Sequence, residues 1–363
     1  MRAPWLALAA AISLALAACA GSGPSAPVGA QGTAGLPTAM PTTFFAISQS
    51  PSHGFQVETL SSLNGKVLEV MPGLPTGNQL QSLQASAGGS IWVTTSSGPR
   101  FRNGTAGGDP APRSCSSSIM ATDHRGAQAQ TVWSFPPSEL VGQATASPSG
   151  QRVAYLSSGC VASFADSHLV IRSRHGGSQV LLGANAVTCH VMTAPSWSAN
   201  GTELTFTYAP SSLGRSHGHV TPGVCPAWHS GELVVVSTRR SAGVSAFHLL
   251  AAPSGCGYVA AAFDRWGIAA VETCGYQGMG SSYLEQVTIG MTVQSRLALE
   301  PGSDPTSLSA APGGRYVLVD EYQAPATHGR PLPWDWIWVF NGVHLHLIRK
   351  YPDVNYGLSD ACW

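Results

Sequence analysis

The sequence predicts an all-β fold assembled from repeats, and three observations carry that reading. Gly (41) and Pro (26) are abundant among 363 residues, whereas Asp, Glu, Lys and Arg together make only 10%. That balance argues against helical bundles, coiled coils and charged disordered chains. Hydrophobic residues reach 44%, ample for a large core, and they gather in short β-branched and aromatic runs punctuated by Gly and Pro. Finally, one pattern of small residues or Pro, a tight turn and a β-rich run recurs along the chain. Eighteen basic residues balance eighteen acidic ones. With no net positive field to hold a phosphate backbone, nucleic acid is not an expected partner, and the chain as a whole is not steered toward an acidic membrane.

In chain order, residues 1–18 combine one early cation, Arg2, with an apolar run from Leu6 to Ala18. The run is too short for a comfortable membrane span and reads as a secretion signal. Its end, Leu16-Ala17-Ala18-Cys19 followed by Ala20-Gly21-Ser22, resembles the bacterial lipobox. The resemblance implies that Cys19 becomes a lipid-bearing N-terminus, which makes the membrane a partner and the extracytoplasmic face of the cell envelope the location. Two or more acyl chains anchor stably because each buried CH₂ adds roughly 0.8 kcal/mol. An ordinary cleaved signal with a chance Cys is the competing reading. Residues 19–42 are Gly, Ser, Ala, Pro and Thr with almost no large apolar side chain, so they form a tether that cannot offset its chain entropy by burial. The folded domain is expected over 43–363.

Within that domain, five segments share the repeat: LQASAGGSIWVTTSS, ATASPSGQRVAYLSSG, APSWSANGTELTFTYA, AAAFDRWGIAAVETCG and LSAAPGGRYVLVDEY. Gly89, Gly150, Gly201, Arg265 and Gly314 fall at equivalent points, spaced by 49 to 64 residues. Such spacing suits propeller blades with variable loops. The Ser-Gly, Asn-Gly and Gly-Gly turns accept positive φ, which a tight hairpin needs. A first unit, with FFAIS, FQVETLSS and KVLEVMPG, lacks the stretch before its first strand, and the C-terminal LSDACW supplies it. Joining the termini in one blade closes the ring and removes exposed sheet edges. Six blades average about 53 residues each, whereas seven would need about 46, shorter than the spacings observed, so a six-bladed β-propeller is favoured.

SPSGQRVAYLS and PSWSANGTELTFTYA resemble the repeats of TolB-like, WD40-like propellers, whose turn is Ser-Pro-Asp-Gly. The likeness covers most of the chain and implies the fold; it says little about function, because such repeats serve many roles. Ser149, Asn200 and Gly313 stand where the turn Asp would be, so no Asp-dependent turn network is implied.

Seven cysteines follow Cys19, and in an exported chain that number argues for disulfides. Position in the repeat favours Cys115–Cys160, Cys189–Cys225 and Cys256–Cys274, leaving Cys362 as a free thiol, an alternative partner or an intermolecular bridge. His217, His219, Cys225 and His229 could approach a zinc site, but their spacing matches no established motif and a disulfide would consume Cys225. His344 and His346 share a strand face and read as partly exposed strand residues. Trp334, Trp336 and Trp338 lie on one face; with Trp133, Trp228 and Tyr351 they could stack on sugars or hold a peptide, although blade-to-blade packing is the favoured reading.

The turn-following strands are expected to line the central channel. On that expectation Glu272 and Glu321 occupy one register at its mouth, with Asp320 beside one of them, and could hold a cation or a basic group, while Ser157 and Tyr208 supply hydroxyls at equivalent points. No Gly-x-Ser-x-Gly elbow, P-loop or dinucleotide fingerprint is present in the sequence, and the Asn103 and Asn200 sequons read as accidental in a bacterial lipoprotein. The sequence therefore points to a lipoprotein propeller acting as a binding or scaffold module for an unidentified protein or small ligand, with no catalytic residues, cofactor or metal site expected. The competing reading is a lactonase- or lyase-like propeller enzyme with a cation at the channel mouth. GGSIWVTTSS around Trp92 resembles the Gly-x-Ile/Leu-Trp strand of those enzymes.

Overall fold

The structure, a computed structural model, describes residues 40–50, 54–75, 80–86, 90–97, 115–123, 129–160, 168–182, 193–208, 231–238, 247–275, 280–300, 304–323, 334–352 and 358–363. The expected signal, Cys19 and most of the expected tether lie outside these residues. The described residues form six four-stranded antiparallel sheets and no helix.

Blade I joins β24 (Leu358–Cys362), β1 (Thr43–Ser50), β2 (Gly54–Ser61) and β3 (Val67–Val70), in that order. Blade II runs β4 (Leu80–Ala85), β5 (Ser90–Ser96), β6 (Ser117–Asp123) and β7 (Gln130–Ser134). Blade III holds β8 (Glu139–Ala146), β9 (Arg152–Gly159), β10 (His168–Ser173) and β11 (Ser178–Leu182), and blade IV holds β12 (Ser196–Trp197), β13 (Glu203–Tyr208), β14 (Glu232–Ser237) and β15 (Phe247–Ala251). Blade V is β16 (Cys256–Phe263), β17 (Ile268–Cys274), β18 (Ser281–Val287) and β19 (Val293–Ala298); blade VI is β20 (Asp304–Ala310), β21 (Val317–Gln323), β22 (Trp334–Phe340) and β23 (Leu345–Pro352). The first strand of each blade touches the first strand of the next, from β4 through β8, β12, β16 and β20 to β24 and back to β4. That cycle makes a closed, six-bladed propeller.

Local turn chemistry explains the repeat. Ser147, Ser198 and Ala311 each donate their N–H to the carbonyl five residues on (2.7, 3.0 and 2.8 Å), and Gly150, Gly201 and Gly314 donate back to those same three residues. The three glycines have φ of 68°, 67° and 67°, a region costly for any residue with a Cβ. At Gly314 a Cβ would also lie 2.6 Å from the backbone nitrogen of Arg265 in blade V. Blade V has a shorter turn, closed by Asp264 N–H to Gly267 O at 3.0 Å. Its following strand nevertheless keeps the register of blade VI, because Ile268 faces Phe263 as Val317 faces Ala310.

One expectation is corrected. The turn-following strands β5, β9, β13, β17 and β21 are second from the axis, and the strands before the turns line it. The inner strands read LQSLQA, ELVGQATA and DPTSLSA, with many small residues because six backbones converge there. The second strands are buried on both faces between neighbouring blades, as in β5 and β9, which accounts for their nearly continuous apolar character. Outermost strands such as β3, β7 and β19 are largely exposed.

Among the described residues the core divides into six apolar clusters, one at each blade seam. The seam that closes the ring packs Phe44, Leu60 and Trp363 of blade I against Leu318, Ile337 and Val339 of blade VI. Trp363 meets Phe44 edge-on, with ring centroids 6.4 Å apart, and is 4% exposed. Replacing it by Ala should cost about 3–5 kcal/mol, the range for truncating a buried aromatic. Denaturant unfolding of Trp363→Ala against the parent chain is the check.

Candidate functional site

Strand direction divides the ring into two faces. Turns between first and second strands, and between third and fourth, lie on one face, together with both termini of the described domain; this is the turn face. Connections between second and third strands, and from one blade to the next, lie on the other. The ends of β5, β13 and β21 and the starts of β6, β14 and β22 lie at this second face. Both described disulfides are there as well. Cys115–Cys160 ties the connection before β6 to the end of β9 in the next blade, and Cys256–Cys274 joins facing residues of β16 and β17. The expected Cys189–Cys225 pair lies outside the described residues. Cys362 is buried.

The densest polar construction on the stapled face sits at the blade IV/V seam. Glu272 on β17 lies opposite Tyr258 on β16 and Tyr283 on β18, while Glu285 on β18 lies opposite Arg296 on β19. Arg296 reaches inward over the Tyr283 ring, 3.6 Å from its centroid. Its guanidinium pairs with Glu272 Oε2 and, 3.3 Å away, with Glu285 Oε1. The Tyr258 hydroxyl donates to Glu285 Oε2 at 2.8 Å. One cation thus faces two buried carboxylates, and Glu272 Oε1 is buried without a hydrogen-bond partner. Burial first, then the neighbouring Glu285 charge, pushes the Glu272 carboxyl above its ordinary value of 4.5 against the pull of Arg296. Burial and the Glu285 contact push the Tyr258 phenol up as well. Gly231 lets blade IV come this close: its carbonyl takes the Tyr258 N–H at 3.0 Å, and a Cβ there would lie 2.2 Å from Tyr258 O.

Chemically the cluster can hold a proton on Glu272 and clamp the inner strand of blade V to its outer one. Cys256, Glu272 and Cys274 bring possible ligand atoms within 4.8 Å of one another. Because the two sulfurs are bonded to each other, they offer no thiolate while the disulfide stands.

The expected channel-mouth set is not assembled. Glu272 and Glu321 do share a register, but on second strands, and both are fully buried. Glu272 follows Ile268 and Ala270, which pack on blade IV, whereas Glu321 follows Val317 and Val319, which pack on blade V. The sheet of blade V therefore separates them. Glu321 Oε2 accepts from Trp338 Nε1 at 3.0 Å. Asp320 is buried on the opposite side of its sheet, where Leu318 packs toward blade I. Ser157, at the same register in blade III, donates to Glu139 Oε1 at 2.6 Å, near a Tyr155 phenol that burial has pushed up to about 12.

Trp336 and Trp338 are buried in the blade V/VI seam, 5.8 Å apart, and Arg172 lies over the Trp133 ring. His344 is exposed and His346 partly so; burial and then the His344 charge lower the His346 imidazole. The candidate zinc ligands His217, His219, Cys225 and His229, the Trp228, Trp334 and Tyr351 side chains, the Tyr208 side chain and Gly89 lie outside the described residues. On the turn face a cavity of about 80 Å³ opens at the axis, lined by Ala85, Ala146, Ser196 and Ala310 from four inner strands and by Asp264.

Tyr258, Glu285 and Arg296 escaped sequence reasoning because no spacing links them: the contacts cross four strands and exist only once the register is known. An Arg within the strand VQSRLA of a chain with so few charges was the available signal.

No family profile and no curated protein matches the sequence. Solved structures do share its architecture. A TolB protein of Agrobacterium tumefaciens aligns with 88% of this chain and 98% of its own at 11% identity and a TM-score of 0.47. The periplasmic gluconolactonase of Pseudomonas aeruginosa aligns with 87% and 98% at 13% identity and 0.47. An oligogalacturonate lyase in complex with manganese aligns with 86% and 74% at 12% identity and 0.46. The likeness is one of fold.

Two outcomes follow for the cluster. Arg296→Met should destabilise the domain by about 2–4 kcal/mol, below the full value for breaking a buried pair because Arg296 is 41% exposed, and adding Glu272→Gln should recover part of the loss. Because the folded-state pKa of Glu272 is raised, its contribution to stability is complete below pH 4.5 and declines as the pH rises toward the folded value. Glu272→Gln should flatten that decline. Denaturant midpoints over a pH series, taken as the difference between parent and variant, provide the check.

Proposed function

We propose that this chain is an envelope lipoprotein, anchored through Cys19, whose stapled propeller face is a recognition surface for a protein or small ligand. The observation that carries the reading is the segregation of building materials between the two faces. Both described disulfides, the second-strand ends and the Glu272–Arg296–Glu285 network lie on one face. The described tight turns with repeated hydrogen bonding lie on the other. A rigid scaffold presenting long loops is a common way to build a binding site, and disulfides there reduce the ordering cost of binding. Disulfides also suit an oxidising compartment, in keeping with export.

The enzymatic alternative expected a cation at the channel mouth. It loses the residues it relied on, since Glu272 and Glu321 lie off the axis with an oxygen each taken by Arg296 and Trp338.

Two measurements test the proposal. Cys19→Ser should abolish incorporation of labelled fatty acid into the protein, and retained label would remove the anchor. A photo-crosslinking residue at Ser138 or Ser254, exposed on the stapled face, should give a discrete product in producing cells that the same residue at His175 or Thr292 on the turn face does not. Equal products from both faces, or turnover of a substrate lost in Glu272→Gln, would contradict a stapled-face recognition module.

A further inference from the structure

The turn face carries exposed apolar tips. Leu63 in the turn between β2 and β3 is 70% exposed, Val343 between β22 and β23 is 62%, Ile289 between β18 and β19 is 51%, and Trp266 between β16 and β17 is 41%. They belong to adjacent blades I, VI and V and project on one side of the ring. Continuity between two of these blades is direct: a Cβ on Gly342, beside Val343, would lie 2.7 Å from the Trp266 ring. Large apolar side chains at successive turn tips on one face are unusual for a surface that meets only water.

Charge is segregated along the same direction, although the whole chain is neutral. Strand polarity puts Lys66, Arg152, Arg174, Arg265 and Arg315 at turn ends, and Lys66, Arg174, Arg265 and Arg315 are exposed. Among the described residues the carboxylates toward turn ends are Glu69, Asp123, Glu203 and Asp264, of which Glu69 and Asp123 are exposed; Asp264 already accepts the Trp266 and Gly267 N–H groups at 2.9 and 2.8 Å. Glu139, Glu232, Glu272, Glu300 and Glu321 lie toward the stapled end, where Arg296 is the facing cation among the described side chains, whereas the Arg349 guanidinium reaches Gly65 O in the β2–β3 turn at 2.8 Å. Around the apolar arc the exposed charges among the described residues are thus Lys66, Arg265 and Arg315 against the single carboxylate Glu69, with exposed His344 beside Val343.

The chain enters the ring at this arc. Ser62 N–H, next to Leu63, donates to Thr42 O at 2.9 Å, so the described chain begins at the turn face beside the most exposed of the tips.

We infer that the blade V–VI–I arc of the turn face docks on an anionic phospholipid bilayer, inserting Leu63, Trp266, Ile289 and Val343 among headgroups while Lys66, Arg265 and Arg315 meet phosphates. Aliphatic and Trp side chains at the interface, flanked by cations, are the chemistry of peripheral membrane contact. The arrangement turns the stapled face away from the membrane. It deepens the anchored reading, on which it rests only for what delivers the domain to the surface.

The test uses residues 40–363, which contain every strand and all six seams and carry no anchor. Co-sedimentation with phosphatidylcholine vesicles, with and without phosphatidylglycerol, reads the partition coefficient. Binding is expected on the anionic vesicles, weakening with salt. Lys66→Gln, Arg265→Gln and Arg315→Gln combined should lower it about 100-fold, and Leu63→Ser, Ile289→Ser and Val343→Ser combined at least about tenfold. All six sites are exposed, so an unchanged melting temperature should accompany both losses. Absence of binding to anionic vesicles, or binding untouched by either set, would overturn the inference. Acylation at Cys19 without domain binding would leave the anchor standing alone, and domain binding without acylation would leave the docking face standing alone.

Discussion

Everything in this molecule depends on burying sheets that are apolar on both sides. A four-stranded blade whose second strand reads RVAYLSSG or SIWVTTS cannot satisfy both faces against one neighbour. A stack of such sheets would leave its two end faces open to water or to aggregation. Closing the stack into a ring gives every face a partner, and the six apolar clusters are the record of that closure. The joint is made where β24 pairs with β1, Phe45 facing Cys362 and Ser48 facing Leu358. Arg349 adds a bond from blade VI to Gly65 O of blade I at 2.8 Å.

Closure in turn imposes polarity. Because every blade is an antiparallel meander started in the same direction, all turns of one kind fall on one face, and a preference repeated in each unit becomes a property of the whole face. Glycine turns that accept positive φ make one face compact. On the other, disulfides and the Glu272–Arg296–Glu285 network hold the strand ends. The segregation of charge between the faces is the same effect expressed in side chains, and it is invisible in a net charge of zero.

Local chemistry was legible in the sequence. Ser147-Pro148-Ser149-Gly150 and Ser198-Ala199-Asn200-Gly201 announce their hairpins through residues that act within a few positions of one another. LSDACW was readable as the missing strand of the first unit because the deficit at one terminus matched the surplus at the other. The pairing of Cys256 with Cys274 followed from their places on either side of one turn. What was not legible depends on which strand sits where in the ring. Inner strands rich in Ala, Ser and Thr show a weaker apolar signal than the second strands behind them, so the more hydrophobic strands were expected at the axis and Glu272 and Glu321 with them. Arg296 meets Glu272 across Tyr283 only through two successive registers, a relation no spacing in the chain encodes.

The most direct test of ring closure is hydrogen exchange of the full chain followed by mass spectrometry, comparing peptides that contain β24 and β1 with one that contains β14 on the far side of the ring. If the joint is an integral part of the ring, all three exchange through the same global opening and at matching free energies. If β24 and β1 exchange well before β14, blade I opens on its own, and the ring does not owe its stability to the pairing of its two ends.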